Sequence, residues 1–242
     1  MRAETRHQLK QDRFSKVTIE AAENAAHWSA EHQTKIIVAV IAVAAIAAIA
    51  LGGWYYVNSQ DEKASAELST AVRTFETPIR PAGVPAQPGY DSFASAQERA
   101  TAARKQFQAI VDQYPRTHTA DMARYFVGLA STQLGDNAAA EHSLQEAAAA
   151  SNGDLAALGK FALASVYRTE NKDTQAVDLY KQLIDKPTLV VSKATAELEL
   201  AEFYESRQKP DEARKMYEQV EKENPATEAA SLAQRRTAAL KK

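Results

Sequence analysis

TQAVDLYKQL, residues 174–183, is the stretch on which the fold turns. Ala176, Tyr180 and Leu183 stand four and then three residues apart. That spacing puts a small, a large and an apolar side chain on one face of a helix. The triplet recurs as Ala213, Tyr217 and Val220 in DEARKMYEQV (211–220), and as Ala140, Leu144 and Ala147 in NAAAEHSLQEA (137–147). An earlier copy reads Ala103, Phe107 and Ile110, and the four alanines lie 37, 36 and 37 residues apart. A short helix with one apolar face cannot bury that face alone, so a repeat at fixed period predicts stacked copies. Pro115 and Pro225 each come five residues after Ile110 and Val220 and end those helices at the same point.

Upstream of each triplet a second helix is legible. Val127-Gly128 leads to the turn Gly135-Asp136; Leu163-Ala164, with Tyr167 after it, leads to Asn171-Lys172-Asp173; Leu200-Ala201, with Tyr204 after it, leads to Lys209-Pro210-Asp211. Over residues 92–225 this pattern resembles the tetratricopeptide repeat, a helix-turn-helix unit of about 34 residues. The expected fold is all-α: a tetratricopeptide-like α-solenoid of about three to four helix pairs, closed by a capping helix over 227–240. There are departures from the pattern. Arg124, Lys160 and Glu197 replace the usual tryptophan, and Ser131 stands where a tyrosine is usual.

The resemblance implies a concave protein-binding surface lined by the first helices. In register, that surface comprises Met122, Tyr125, Leu129, Phe161, Ser165, Arg168, Leu198, Glu202 and Glu205. Apolar side chains at one end and carboxylates at the other suit an extended or helical polypeptide. The basic and asparagine residues with which some family members clamp a peptide's C-terminal carboxylate are missing at matching positions, Tyr125, Phe126, Leu129 and Phe161 among them.

Before the repeats lie TPIRPAGVPAQPGYD (77–91), with four of the eight prolines, and a stretch at 58–76 with few helix breakers. The first reads as a loop and the second as a helical stalk. Further upstream, residues 36–57 contain no charged side chain. As a helix these residues span about 33 Å, against a hydrocarbon core of about 30 Å. Lys35 precedes the run, and Trp54, Tyr55 and Tyr56 close it with aromatics suited to the headgroup boundary. A cleaved signal is the competing reading, since Ala48-Ile49-Ala50 has the spelling of a cleavage site. The run, however, exceeds the 7–15 residues of a signal core, and 35 residues carrying six bases and five acids precede it. It is read as an uncleaved signal anchor with the N-terminus in the cytoplasm and the C-terminal domain periplasmic.

Residues 1–35 thus form a cytoplasmic tail, 36–57 a transmembrane helix, 58–91 a stalk and Pro-rich loop, and 92–242 the repeat domain. Within the tail, Phe14, Val17, Ala21, Ala25 and Trp28 share one helical face, consistent with an amphipathic helix on the membrane surface. Trp28 before the span and the aromatic cluster after it resemble the bacterial ancillary subunit of the SecYEG translocon. That resemblance implies association with the translocon and with periplasmic chaperones.

The remaining composition excludes much else. There is no cysteine, hence neither a disulfide nor a thiol nucleophile. Residues 58–242 hold 23 basic and 26 acidic side chains, which argues against nucleic-acid binding. The five histidines (7, 27, 32, 118 and 142) have no zinc-site spacing. No phosphate loop or nucleophile elbow occurs. No catalytic, metal or cofactor site is expected. The expected role is a scaffold for polypeptides near the translocon; alternatives are an envelope-assembly or cell-division coordinator using the same repeats, and association through Ala44, Ala48 and Gly52 of the span.

Overall fold

A computed structural model describes residues 32–86, 88–89 and 91–240. The chain divides into two units, Met1–Tyr56 and Val57–Lys242. Helix α1 (Gln33–Glu76) begins in the first and ends in the second. In the first unit its mean hydropathy reaches 2.8 over an 18-residue window, long and apolar enough to cross a membrane. Among the described residues nothing buries this stretch: Ile37 is 50% exposed, Ile49 75% and Trp54 68%. Lys35, Tyr55 and Tyr56 are exposed as well. Trp28 and the amphipathic face from Phe14 to Ala25 lie outside the described residues.

The second unit continues with α2 (Ala96–Gln113), α3 (His118–Gln133), α4 (Asn137–Ala148), α5 (Gly153–Thr169), α6 (Asp173–Asp185), α7 (Lys193–Ser206), α8 (Pro210–Glu223) and α9 (Glu228–Ala239). Each of α2 to α8 packs on the next. Helices α2, α4, α6 and α8 carry the four triplets, and all twelve triplet residues are at most 2% exposed. Among the described residues there is no strand, only the isolated bridge Ile79–Phe93. Thr188-Leu189-Val190-Val191, the one strand-like run in the repeats, folds into a turn: Thr188 N–H donates to the Val191 carbonyl at 3.0 Å, and Val191 is buried.

The turn inside each helix pair is built three times alike. Gly135, Asn171 and Gln208 take φ of 73°, 59° and 57°. One residue on, the N–H groups of Asp136, Lys172 and Lys209 donate to the carbonyls of Ser131, Tyr167 and Tyr204 at 3.0, 2.9 and 2.9 Å. These bonds satisfy carbonyls that the ending helix leaves open. Glycine fits the left-handed position and asparagine tolerates it, whereas glutamine is strained there. Gln208→Gly is therefore expected to raise stability by about 0.5–1 kcal/mol, read as a higher urea midpoint at unchanged slope.

Residues 58–76, read from sequence as a stalk, pack into the first core cluster. Ala64 and Ala71 are fully buried, and Leu68, Val72 and Phe75 pack against Phe107, Ile110 and Val127. Two polar contacts join this packing: Tyr114 Oη donates to Glu67 Oε1 at 2.8 Å, and Thr119 N–H donates to Asp61 Oδ1 at 2.9 Å. The second puts a carboxylate at the positive end of α3. The Pro-rich loop leaves and returns through a pinned neck. Arg80 N–H donates to the Phe93 carbonyl at 2.9 Å, Phe93 N–H to the Pro78 carbonyl at 3.1 Å, and Arg80 Nη1 to the Ser92 carbonyl at 2.9 Å. Such closure lets a segment unable to be helix interrupt a helix pair without disturbing it.

Candidate functional site: the face of the first helices

The nine residues singled out from sequence lie on the first helices of successive pairs. Met122, Tyr125 and Leu129 sit on α3, Phe161, Ser165 and Arg168 on α5, and Leu198, Glu202 and Glu205 on α7. Spacings of three and four align each trio along one side of its helix. The opposite sides are spent on the core, through Ala123 and Val127, Leu163 and Ala164, and Leu200 and Ala201. None of the nine is buried: Ser165 is exposed and the other eight are half-buried.

Several of the nine are held by neighbouring side chains. Tyr125 meets Phe126 edge-on at 5.4 Å, and Phe161 meets Tyr180 edge-on at 6.4 Å. Both Tyr125 and Phe161 rest against the central cluster, and burial raises the Tyr125 phenol above its ordinary value. Arg168 Nη1 stands 3.6 Å from Glu199 Oε2. The acidic end is not bare. Arg236 of α9 reaches Glu202 at 3.3 Å and Glu205 at 3.7 Å, so the two carboxylates share one guanidinium. A shallow recess of about 460 Å³ opens beside Glu205 and Arg236. Solvent-facing pairs of this kind are worth only about 0–1 kcal/mol, so an arriving cationic side chain can displace Arg236. No sequence spacing points to Arg236, which lies 34 residues from Glu202. Among the described residues, no group of three or more His, Asp or Glu is arranged to hold a metal ion.

A tetratricopeptide repeat-like domain matches residues 26–187, two thirds of the chain, and a tetratricopeptide repeat matches 195–227. The chain belongs to the tetratricopeptide repeat-like family. A search of curated proteins finds none that matches. The tetratricopeptide match starts ahead of the apolar run, so span and first repeats fall within one matched region. Repeats of this family bind proteins, which agrees with the accessible first-helix face.

Family membership gives meaning to Gly128 and Glu197. The tetratricopeptide pair needs a small residue where its helices cross. A Cβ on Gly128 would lie 2.4 Å from Leu144 Cγ. Glu197 occupies a position where tryptophan is usual, and it is fully buried with neither carboxylate oxygen hydrogen-bonded. Lys193 Nζ is 3.7 Å away and also pairs with Glu223. Arg124, at the equivalent position, reaches Asp121 at 2.8 Å, Glu146 at 3.3 Å and the Pro115 carbonyl at 3.1 Å.

Burial pushes the Glu197 carboxyl up, the charge of Glu223 pushes the same way, and Lys193 only partly opposes them. Because the folded value lies above the unfolded one, the folded state holds the proton more tightly. Stability therefore falls as pH rises through the ordinary carboxylate range and past the raised value. Glu197→Gln is expected to add about 1–2 kcal/mol at pH 7 and little at pH 3.5. Urea unfolding at the two pH values measures this. A glutamine variant less stable at pH 7 would mean the carboxylate supports the fold.

Proposed function

We propose that the protein is a non-catalytic, membrane-anchored scaffold that binds polypeptides through the face formed by α3, α5 and α7. In this reading the helix of residues 36–57 spans the bacterial inner membrane, the N-terminus is cytoplasmic, and the repeats stand in the periplasm beside the Sec translocon. The observation that carries the binding role is the first-helix face itself: nine side chains in three aligned trios, none buried, with aromatic rings at one end and a displaceable ion-paired group at the other. The uncovered apolar helix supports the anchor. The translocon assignment rests on the sequence resemblance around Trp28 and Trp54 to Tyr56.

Photocrosslinking in intact cells, from a reactive amino acid placed at Leu129 or Ser165, tests both parts. Capture of translocon subunits or of newly exported chains supports the reading. Capture of cell-wall or outer-membrane machinery replaces the translocon with envelope assembly and keeps the scaffold. No adduct from either site, with normal protein levels, removes the face as a binding surface. Protease added to spheroplasts checks orientation: digestion of the repeats is expected, and their protection reverses the topology.

A further inference from the structure

We propose that the slot between α2, α3 and α4 is a second docking site, which takes the side chain of a tyrosine from a partner polypeptide. A recess of about 630 Å³ opens there, with Val127, Ser131, Gln108, Ala139 and His142 among its lining residues. It lies on a different side of α3 from Met122, Tyr125 and Leu129, since Ser131 is about 180–240° around the helix from them at 100° per residue. It would therefore survive the failure of the first-helix face as a binding surface.

The repeats themselves show what fits. Gly128, Ala164 and Ala201 are equivalent, so Ser131, Tyr167 and Tyr204, each three residues on, occupy one position in three successive pairs. In the next pair, the slot is filled from within. Tyr167 is only 6% exposed; its hydroxyl donates to Glu141 Oε1 at 3.2 Å and accepts from Gln145 Nε2 at 3.0 Å. By the same register, Glu141 and Gln145 of α4 correspond to Arg104 and Gln108 of α2, counted from Ala140 and Ala103.

The rim is conserved in kind with its charges exchanged. Lys172 pairs with Glu141 at 2.6 Å; at the equivalent places Asp136 pairs with Arg104 at 2.9 Å. The pocket, the amide that would receive a phenol and the ion pair beside it are all present, and only the ring is missing. In its place Ser131 is fully buried, and its hydroxyl has no hydrogen-bond partner. Serine is too short to fill the space that Tyr167 fills in its own pair, so the floor of the recess is left both under-packed and unbonded. A tyrosine offers the ring for the space, with Gln108 Nε2 as donor to its hydroxyl. Gln108 now donates to Asp112 at 2.8 Å, an exposed contact that can be exchanged.

The full chain in detergent micelles, labelled at alanine and valine methyls, is titrated with N-acetyltyrosinamide. Saturable shifts at Val127 and Ala139 are expected, with a dissociation constant of about 1 mM for so small a probe. Ser131→Tyr fills the slot as Tyr167 fills its own; it is expected to raise the melting temperature and weaken the probe at least about tenfold. Should that variant fail to fold, Gln108→Ala decides, with binding expected to weaken about fivefold through the lost hydrogen bond. The proposal is overturned by an absence of saturable shifts, by equal shifts with N-acetylleucinamide, or by unchanged affinity in the variant that folds. Loss of crosslinks at Leu129 and Ser165 leaves these readouts untouched, so the two proposals fail separately.

Discussion

Gly159→Leu is expected to be among the most damaging single substitutions in the repeats, lowering stability by about 4 kcal/mol. Gly159 lies in the second turn of α5, where that helix crosses the end of α4. A Cβ there would stand 2.6 Å from the backbone nitrogen of Ala148 and 2.8 Å from the carbonyl carbon of Ala147. Backbone atoms cannot swing aside as a side-chain tip can, so the two helices must separate. Even Gly159→Ala is expected to cost about 1–3 kcal/mol, although alanine is the better helix former by about 1 kcal/mol. Gly153 serves as the internal control. It opens the same helix, a Cβ there meets nothing within 4 Å, and its alanine variant is expected to be neutral or slightly stabilised. At about 2–4 °C per kcal/mol for a domain of this size, the leucine variant should melt about 8–16 °C lower. Equal melting temperatures for the variants at 153 and 159 would falsify the close-approach argument. Because α5 also carries Phe161, Ser165 and Arg168, the same displacement should weaken any ligand of the first-helix face.

How much of this was legible beforehand follows from where the determining contacts lie along the chain. The triplets were readable because a helix repeats its facing positions every three to four residues. Four copies in phase then made chance a poor explanation. The all-α fold and the turn positions followed from the same local rules. The nine first-helix residues are placed by register alone, each trio along one side of its helix, with Ser165 exposed and the other eight half-buried. What register could not supply was the partner of each charge. Arg236 meets Glu202 and Glu205 only because α9 packs back on α7 and α8. Glu197 is legible in sequence only as a departure from the family's tryptophan; its burial is set by neighbouring helices rather than by its own segment. Ser131 was visible as a departure, but a missing ring becomes a recess only once α2 and α4 close around it.

Residues 58–76 continue the apolar helix, as their lack of breakers predicts, and they also pack on the first repeat. Ala64, Leu68, Ala71, Val72 and Phe75 stand at i, i+4, i+7, i+8 and i+11, an apolar stripe that spacing shows, although its partner helix is set only by the fold. Its packing rests on Phe75, which meets Phe107 edge-on at 6.0 Å and Phe126 edge-on at 6.1 Å, while Phe107 and Phe126 stack at 4.9 Å. Phe107 is fully buried at the centre of this trio and belongs to the first triplet. Phe107→Ala is expected to cost about 3–5 kcal/mol, the sum of lost transfer free energy and an aromatic-sized cavity. The loss should be local in a telling way. In a stacked array each unit leans mainly on its neighbours, so amide exchange should quicken across 61–76 and α2 while α7 to α9 keep their protection. Phe107→Leu retains most of the volume and is expected to cost less than about 1.5 kcal/mol. If the alanine variant instead exposed all helices together, the repeats would be a single cooperative block. Nearest-neighbour reasoning for this array would then be wrong.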